Sequence, residues 1–300
     1  MTLVSRLSGL LIVLLLVGCS QEKVQVIQGS IYGTTYSIQF TENINKEEIH
    51  TLVKAELDRI DMVFSTYKPS SEISLINDCR KNWDLRLEAY PDFNPIYDEK
   101  KEVYKCANSL GSPEFNDLLK RADKFNFITD GAFHAADENS EFFNGLLPWD
   151  FSAIGKGYAV DKISELLAEN GIVNYFIDIG GELSINGTKF GELWSWGVEK
   201  PINSDSGAYR AFKAPQNGIS IATSGEYRNP GHIWGIGARD AVSVTVIDDN
   251  TTDADAWATA MYVLGIEKGL RVAEKKGVAV FFIRQNGKSV NSSEWSKIYP

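Results

Sequence analysis

The chain has 300 residues, 43% of them hydrophobic, with 40 acidic and 30 basic side chains and a net charge of −10. That length can bury a large core, as one big domain or two smaller ones. The acidic balance argues against a nucleic-acid partner, which demands clustered Lys and Arg. The scattered histidines at 50, 134 and 232 form no zinc spacing.

From the N-terminus, Arg6 precedes the apolar run Leu10–Val17 and then Gly18-Cys19. The run is too short to cross a hydrocarbon layer of roughly 30 Å and fits the core of a secretory signal. Leu16-Val17-Gly18-Cys19 resembles the bacterial lipobox. The resemblance implies a signal peptide over residues 1–18 and a Cys19 that carries lipid chains such as palmitate. The mature chain, 19–300, would then be anchored to a bacterial membrane and face the periplasm. An ordinary signal cleaved nearby is the other reading. Cys79 and Cys106 remain, either as a loop-closing pair or as two free thiols.

The stretch "VQVIQGSIYGTTYSIQF" reads as strand with a glycine interruption. A helix follows, with Ile49, Leu52, Val53, Leu57 and Ile60 on one face and Asn45 with Glu48 as a capping box. Residues 78–113 are polar, charged and Pro-bearing, which predicts an irregular insertion. Helices are predicted at about 114–126 and over Gly157–Asn170, the second stopped by Gly171. "YFIDIGGELSINGTKF" holds two strand runs around Gly180-Gly181, and Asn186-Gly187 signals a hairpin turn. "AVSVTVI" alternates as a half-buried strand, "DADAWATAMYVLG" is helical, and "VAVFFIR" is a core strand turned back at Asn286-Gly287. Hairpins mixed with helices predict an α+β fold with mixed, largely antiparallel sheets packed against helices.

Chemistry concentrates in "DFSAIGKGYAVD", residues 150–161, where Lys156 is flanked by Gly155 and Gly157. It is not a nucleotide-hydrolase phosphate loop, because Asp150 stands where the first Gly belongs and Gly157 where Ser or Thr belongs. Nor is it a dinucleotide fingerprint, since the third Gly is missing. A phosphorylated ligand of another kind remains. Asp255 and Thr259, four apart on a helix, turn a carboxylate and a hydroxyl the same way. Such a pair suits a hard cation such as Mg²⁺. The alternative is a helix cap at Asp255 with Thr259 bonded to the preceding turn.

These residues carry a resemblance to the ApbE-type FAD:protein FMN transferases, lipoproteins that move FMN from FAD to a Thr or Ser of a target protein. "YGTTYSI", "FSTYKPSSEISLIN", "TDGAFH", "DFSAIGKGYAVDKISELLAENGI" followed by "DIGGEL", "ATSGEYRNPGHI" and "DADAWATAMYVLG" occur in family order. The resemblance implies an ApbE or T-fold-like architecture and FAD contacts at Tyr32, Tyr67, Ala132, Phe133, His134, Asp150, Lys156 and Ile233. It implies Mg²⁺ held by the Ala153 carbonyl, Asp255 and Thr259, with His232 as the base that activates the acceptor hydroxyl. Acceptors would be flavoprotein subunits of membrane redox complexes, and AMP would leave. Three features depart from the family: "WGIGARD" replaces D-P-x-T-G, His134 replaces an Asp, and the segment from Phe133 to Asp150 is short. An Mg²⁺-dependent FAD pyrophosphatase and a non-catalytic flavin-binding lipoprotein are the alternatives these departures leave.

Overall fold

The computed structural model describes residues 23–89, 105–136, 147–201, 207–227 and 230–300. The signal region with Cys19, residues 90–104 of the insertion and the segment 137–146 lie outside the described residues.

An eight-stranded sheet runs in the order β1-β2-β3-β4-β9-β10-β11-β12, and its recorded pairings are antiparallel. It comprises β1 (Gln25–Ile31), β2 (Thr34–Phe40), β3 (Tyr175–Ile179), β4 (Glu182–Asn186), β9 (Ile219–Ser224), β10 (Ala241–Asp248), β11 (Ala279–Arg284) and β12 (Ser289–Asn291). Four further strands form two small ribbons: β5 (Thr188–Lys189) with β6 (Glu192–Leu193), and β7 (Ser195–Glu199) with β8 (Ala208–Lys213). The α+β expectation is met.

Helices α1 (Lys46–Phe64), α5 (Ser152–Glu169) and α6 (Thr251–Lys276) pack on one face of the sheet. The β7–β8 ribbon and α7 (Ser293–Ile298) cover the other, closing an aromatic core of Trp196, Phe212, Phe281 and Trp295. Helices α2 (Glu72–Ala89), α3 (Lys105–Leu110) and α4 (Pro113–Ile128) extend the helical side. Helix α1 shows why such segments fold. Asn45 accepts the Glu47 N–H at 3.2 Å, and Ile49, Val53, Leu57, Ile60 and Val63 are buried at helical spacing. Each such side chain contributes about 1.5–3 kcal/mol on burial.

Five expectations are corrected. The first strand is a hairpin, because Tyr32 and Gly33 both take positive φ (53° and 72°) and reverse the chain. Residues 78–89 continue α2 and 105–110 form α3, so the insertion is not simply irregular. Their polar surface hides an anchored inner face: Cys79 and Cys106 form a disulfide, and Arg80 lies 4.0 Å above the Trp149 ring. Helix α5 begins at Ser152, so both glycines around Lys156 are helical. Asn186-Gly187 makes no hairpin, because Asn186 reaches back to the Val173 carbonyl at 2.7 Å and Gly187 donates to Gln216. Finally, β10 is buried from Ser243 to Ile247 because the sheet is covered on both faces.

Candidate active site

Helices α5 and α6 cross closely and carry the charged centre. Asp161 accepts the amides of Thr251 and Thr252 at 2.8 and 2.9 Å, while one turn earlier Gly157 N–H donates to Asp255 Oδ2 at 3.0 Å. The two helices therefore run antiparallel, and Ala153 and Thr259 fall toward the same end. A Cβ on Gly157 would come within 2.3 Å of the Thr251 carbonyl, so only glycine permits this approach. Gly155 differs: among the described residues a Cβ there would meet nothing within 4 Å, leaving bare backbone without a close neighbour. The two glycines that looked equivalent have separate jobs.

Lys156 projects from this crossing toward the sheet. Its Nζ donates to Glu182 Oε1 at 2.9 Å and lies 3.8 Å from Asp255 Oδ1. The Lys156 side chain is 31% exposed, whereas those of Glu182 and Asp255 are 2% and 3% exposed. Burial disfavours the ammonium, but the carboxylates of Asp255 and Glu182 outweigh it and hold the lysine above its ordinary range. Burial pushes the Glu182 and Asp255 carboxyls up, against the opposing pull of the Lys156 ammonium. Thr259 Oγ1 sits 3.3 Å from Ser224 Oγ at the end of β9. Asp150 stands at the helix start, accepting the Ser152 N–H at 2.7 Å.

Among the described residues, no group of three or more His, Cys, Asp or Glu is placed to hold a metal ion. The oxygens of Ala153, Asp255 and Thr259 nonetheless fit a hard cation that keeps water or phosphate ligands. Two buried carboxylates share one ammonium, and Glu182 Oε2 has no hydrogen-bond partner among the described residues. The Gly157 amide, which a regular helix would direct at the Ala153 carbonyl, is engaged by Asp255.

A second wall comes from loops. Ile233 is 6% exposed; its N–H donates to Glu226 Oε1 at 3.3 Å and its carbonyl accepts from Arg239. Glu226 Oε2 in turn accepts from Tyr262, three positions beyond Thr259 on α6, at 3.1 Å. Burial, with the Glu226 charge beside it, raises the Tyr262 hydroxyl to about 12. Ala132 adjoins this wall, since a Cβ on Gly235 would lie 3.7 Å from the Ala132 carbonyl. His232 is exposed beside Ile233, and His134 is exposed beyond Phe133.

Some implied flavin contacts sit differently from the rest. Phe133 is fully buried with its ring 5.8 Å from that of Phe125, so its side chain serves the core. Tyr32 leans on α1, donating to the Leu57 carbonyl at 3.0 Å, and burial raises its hydroxyl well above the usual range. Its turn still borders the site, because Thr34 packs under Gly180 of the β3–β4 turn. Tyr67 is 95% exposed on the α1–α2 connection. Glu182 and Ser224 were missed by sequence reasoning. The signal for Glu182 was an acid at the very start of a strand, directly after Gly180-Gly181.

The sequence profile of the ApbE family matches residues 32–139 and 144–282. The chain is 27% identical to the FAD:protein FMN transferase of Escherichia coli K12, over 95% of this chain and 93% of that one. It is 33% identical to the FAD:protein FMN transferase of Klebsiella pneumoniae strain 342, covering 87% of this chain and 85% of that one. The solved flavin transferase ApbE from Vibrio cholerae superposes with a TM-score of 0.70 at 25% identity, covering 92% of this chain and 99% of that one.

Proposed function

The chain belongs to the ApbE family, and from that premise we propose that it transfers FMN from FAD to a Thr or Ser hydroxyl of a target protein. The arrangement of Lys156 between Glu182 and Asp255, at the α5–α6 crossing, is the observation that carries this reading. The FAD diphosphate lies along the bare backbone at Gly155, where the N-terminal end of α5 favours an anion. Lys156 neutralises its charge. The Ala153 carbonyl, Asp255 and Thr259 would hold a Mg²⁺ ion, which would supply further charge stabilisation to the phosphoryl group. Ile233, Ala132, His134 and the turns carrying Tyr32 and Tyr67 contact the remainder of FAD.

In the transfer, the acceptor oxygen bonds to the phosphorus of the FMN half and the phosphorus–oxygen bond to AMP breaks. His232, exposed on its loop, takes the hydroxyl proton. Positioning and charge stabilisation dominate such steps. The acceptors are flavoprotein subunits of membrane redox complexes. Cys19 anchors the mature chain to the membrane on its periplasmic side. The Cys79–Cys106 disulfide supports export, since such bonds persist in oxidising compartments.

Incubating the mature protein with FAD, Mg²⁺ and a candidate acceptor tests the reading. The acceptor is expected to gain the mass of FMN while AMP accumulates. Free FMN and AMP without an adduct would make it a pyrophosphatase, and intact FAD would leave binding alone.

A further inference from the structure

Glu182 is the one buried charge of the site without a part in the chemistry above. It opens β4 directly after the Gly180-Gly181 turn, which Asp178 pins by accepting the Gly181 N–H at 2.9 Å. Glu182 is 2% exposed, its Oε1 holds Lys156 Nζ at 2.9 Å, and its Oε2 has no hydrogen-bond partner among the described residues. The same ammonium is 3.8 Å from Asp255 Oδ1, outside hydrogen-bond distance.

We propose that Glu182 is a positioning residue that holds the Lys156 ammonium off Asp255, so that Asp255 stays open to a divalent cation. The inference rests on the metal reading of Asp255 given above. An ammonium and a metal compete for the same carboxylate oxygens. Lysine has a flexible four-carbon stem, so a shift of about 1 Å costs it little. Glu182 is fixed by the strand and its turn, and Asp255 by the Gly157 amide. Without Glu182, Asp255 is the carboxylate left in contact with Lys156, and the lysine closes onto it. Glu182 thus acts on the metal through Lys156.

The test is Mn²⁺ binding, followed by electron paramagnetic resonance, on the mature protein without FAD. The wild type, Glu182→Gln, Lys156→Met and the double variant are compared, with thermal melting as the control for folding. Glu182→Gln is expected to weaken Mn²⁺ binding about 10-fold or more, the usual scale for residues that orient a metal ligand. In the Lys156→Met background the same change should shift binding less than about 2-fold. Equal weakening in both backgrounds would show Glu182 acting by its own charge and overturn the proposal. Glu182→Asp keeps the charge but shortens the arm, so it too should weaken Mn²⁺ binding; unchanged binding overturns the proposal even where the Gln variant fails to fold. A wild type that binds no Mn²⁺ removes the metal reading and this inference with it.

Discussion

The α5–α6 crossing and the loop from Gly225 to Asp240 both border the candidate site, and they are built by opposite means. At the crossing, bare glycine lets two helices nearly touch, and buried charges satisfy one another across the gap. The loop instead exposes His232 and is tied down at scattered points: Glu226 accepts from Ile233 and Tyr262, Asp240 accepts the Ile266 N–H, and Tyr227 donates to Glu199. The backbone of the crossing is close-packed, since the Thr251 carbonyl leaves no room at Gly157 for a side chain. The loop is held at a few points, which suits a residue that must meet a second protein. In the proposed mechanism, charge handling falls to the close-packed part and proton transfer to the exposed part.

This division sets the order of expected effects. Asp255→Ala, at the crossing, should lower Mg²⁺-dependent turnover by about 10³-fold, equivalent to about 4 kcal/mol, while the fold persists. Unchanged turnover at limiting Mg²⁺ would remove Asp255 from the metal site. His232→Asn, on the loop, should cost about 10²-fold in turnover with FAD affinity and melting temperature little changed. Parallel losses of affinity and stability would instead make His232 a structural residue, and the contrast between the two regions would collapse.

Gly157→Ala tests the close packing of the crossing directly. The added carbon must force the Thr251 carbonyl away, destabilising the fold by about 2 kcal/mol and parting Gly157 from Asp255. A denaturation midpoint equal to that of the wild type would mean that the helices can separate freely. The smallest effect is expected just before α6. Burial raises the Asp248 carboxyl to about 6, so its neutral form is favoured in the folded chain. Stability from this group is complete below about pH 4 and lost as pH rises through 6. Asp248→Asn should therefore match the wild type near pH 4 and exceed it near pH 7 by about 1 kcal/mol, allowing for partial exposure. Melting curves at both pH values decide it, and a gap independent of pH would refute the assignment.

The crossing was the more legible region because helical spacing alone aligns Asp255 with Thr259 and marks Lys156 between glycines. What the spacing could not reveal was the neighbour across the sheet. Glu182 meets Lys156 only because the Gly180-Gly181 turn starts β4 with that side chain facing α5. The packing role of Gly157 is not legible in the sequence, since nothing local announces a helix arriving from 98 residues away. The alternation in β10 suggested one wet face, but the β7–β8 ribbon and α7 on the far face cover it. The loop was legible only as a motif around His232, because the bonds from Glu226 that fix it depend on the folded chain.

The central claim is that Ala153, Asp255 and Thr259 at the α5–α6 crossing hold the metal that meets the FAD diphosphate. Crystals of the mature protein grown with FAD and Mn²⁺ would test it through the anomalous signal of manganese. The account predicts a single strong peak bounded by the Ala153 carbonyl, Asp255 and Thr259, with the diphosphate beside Lys156. Bound FAD with its diphosphate away from Lys156, or manganese on other ligands, would contradict it.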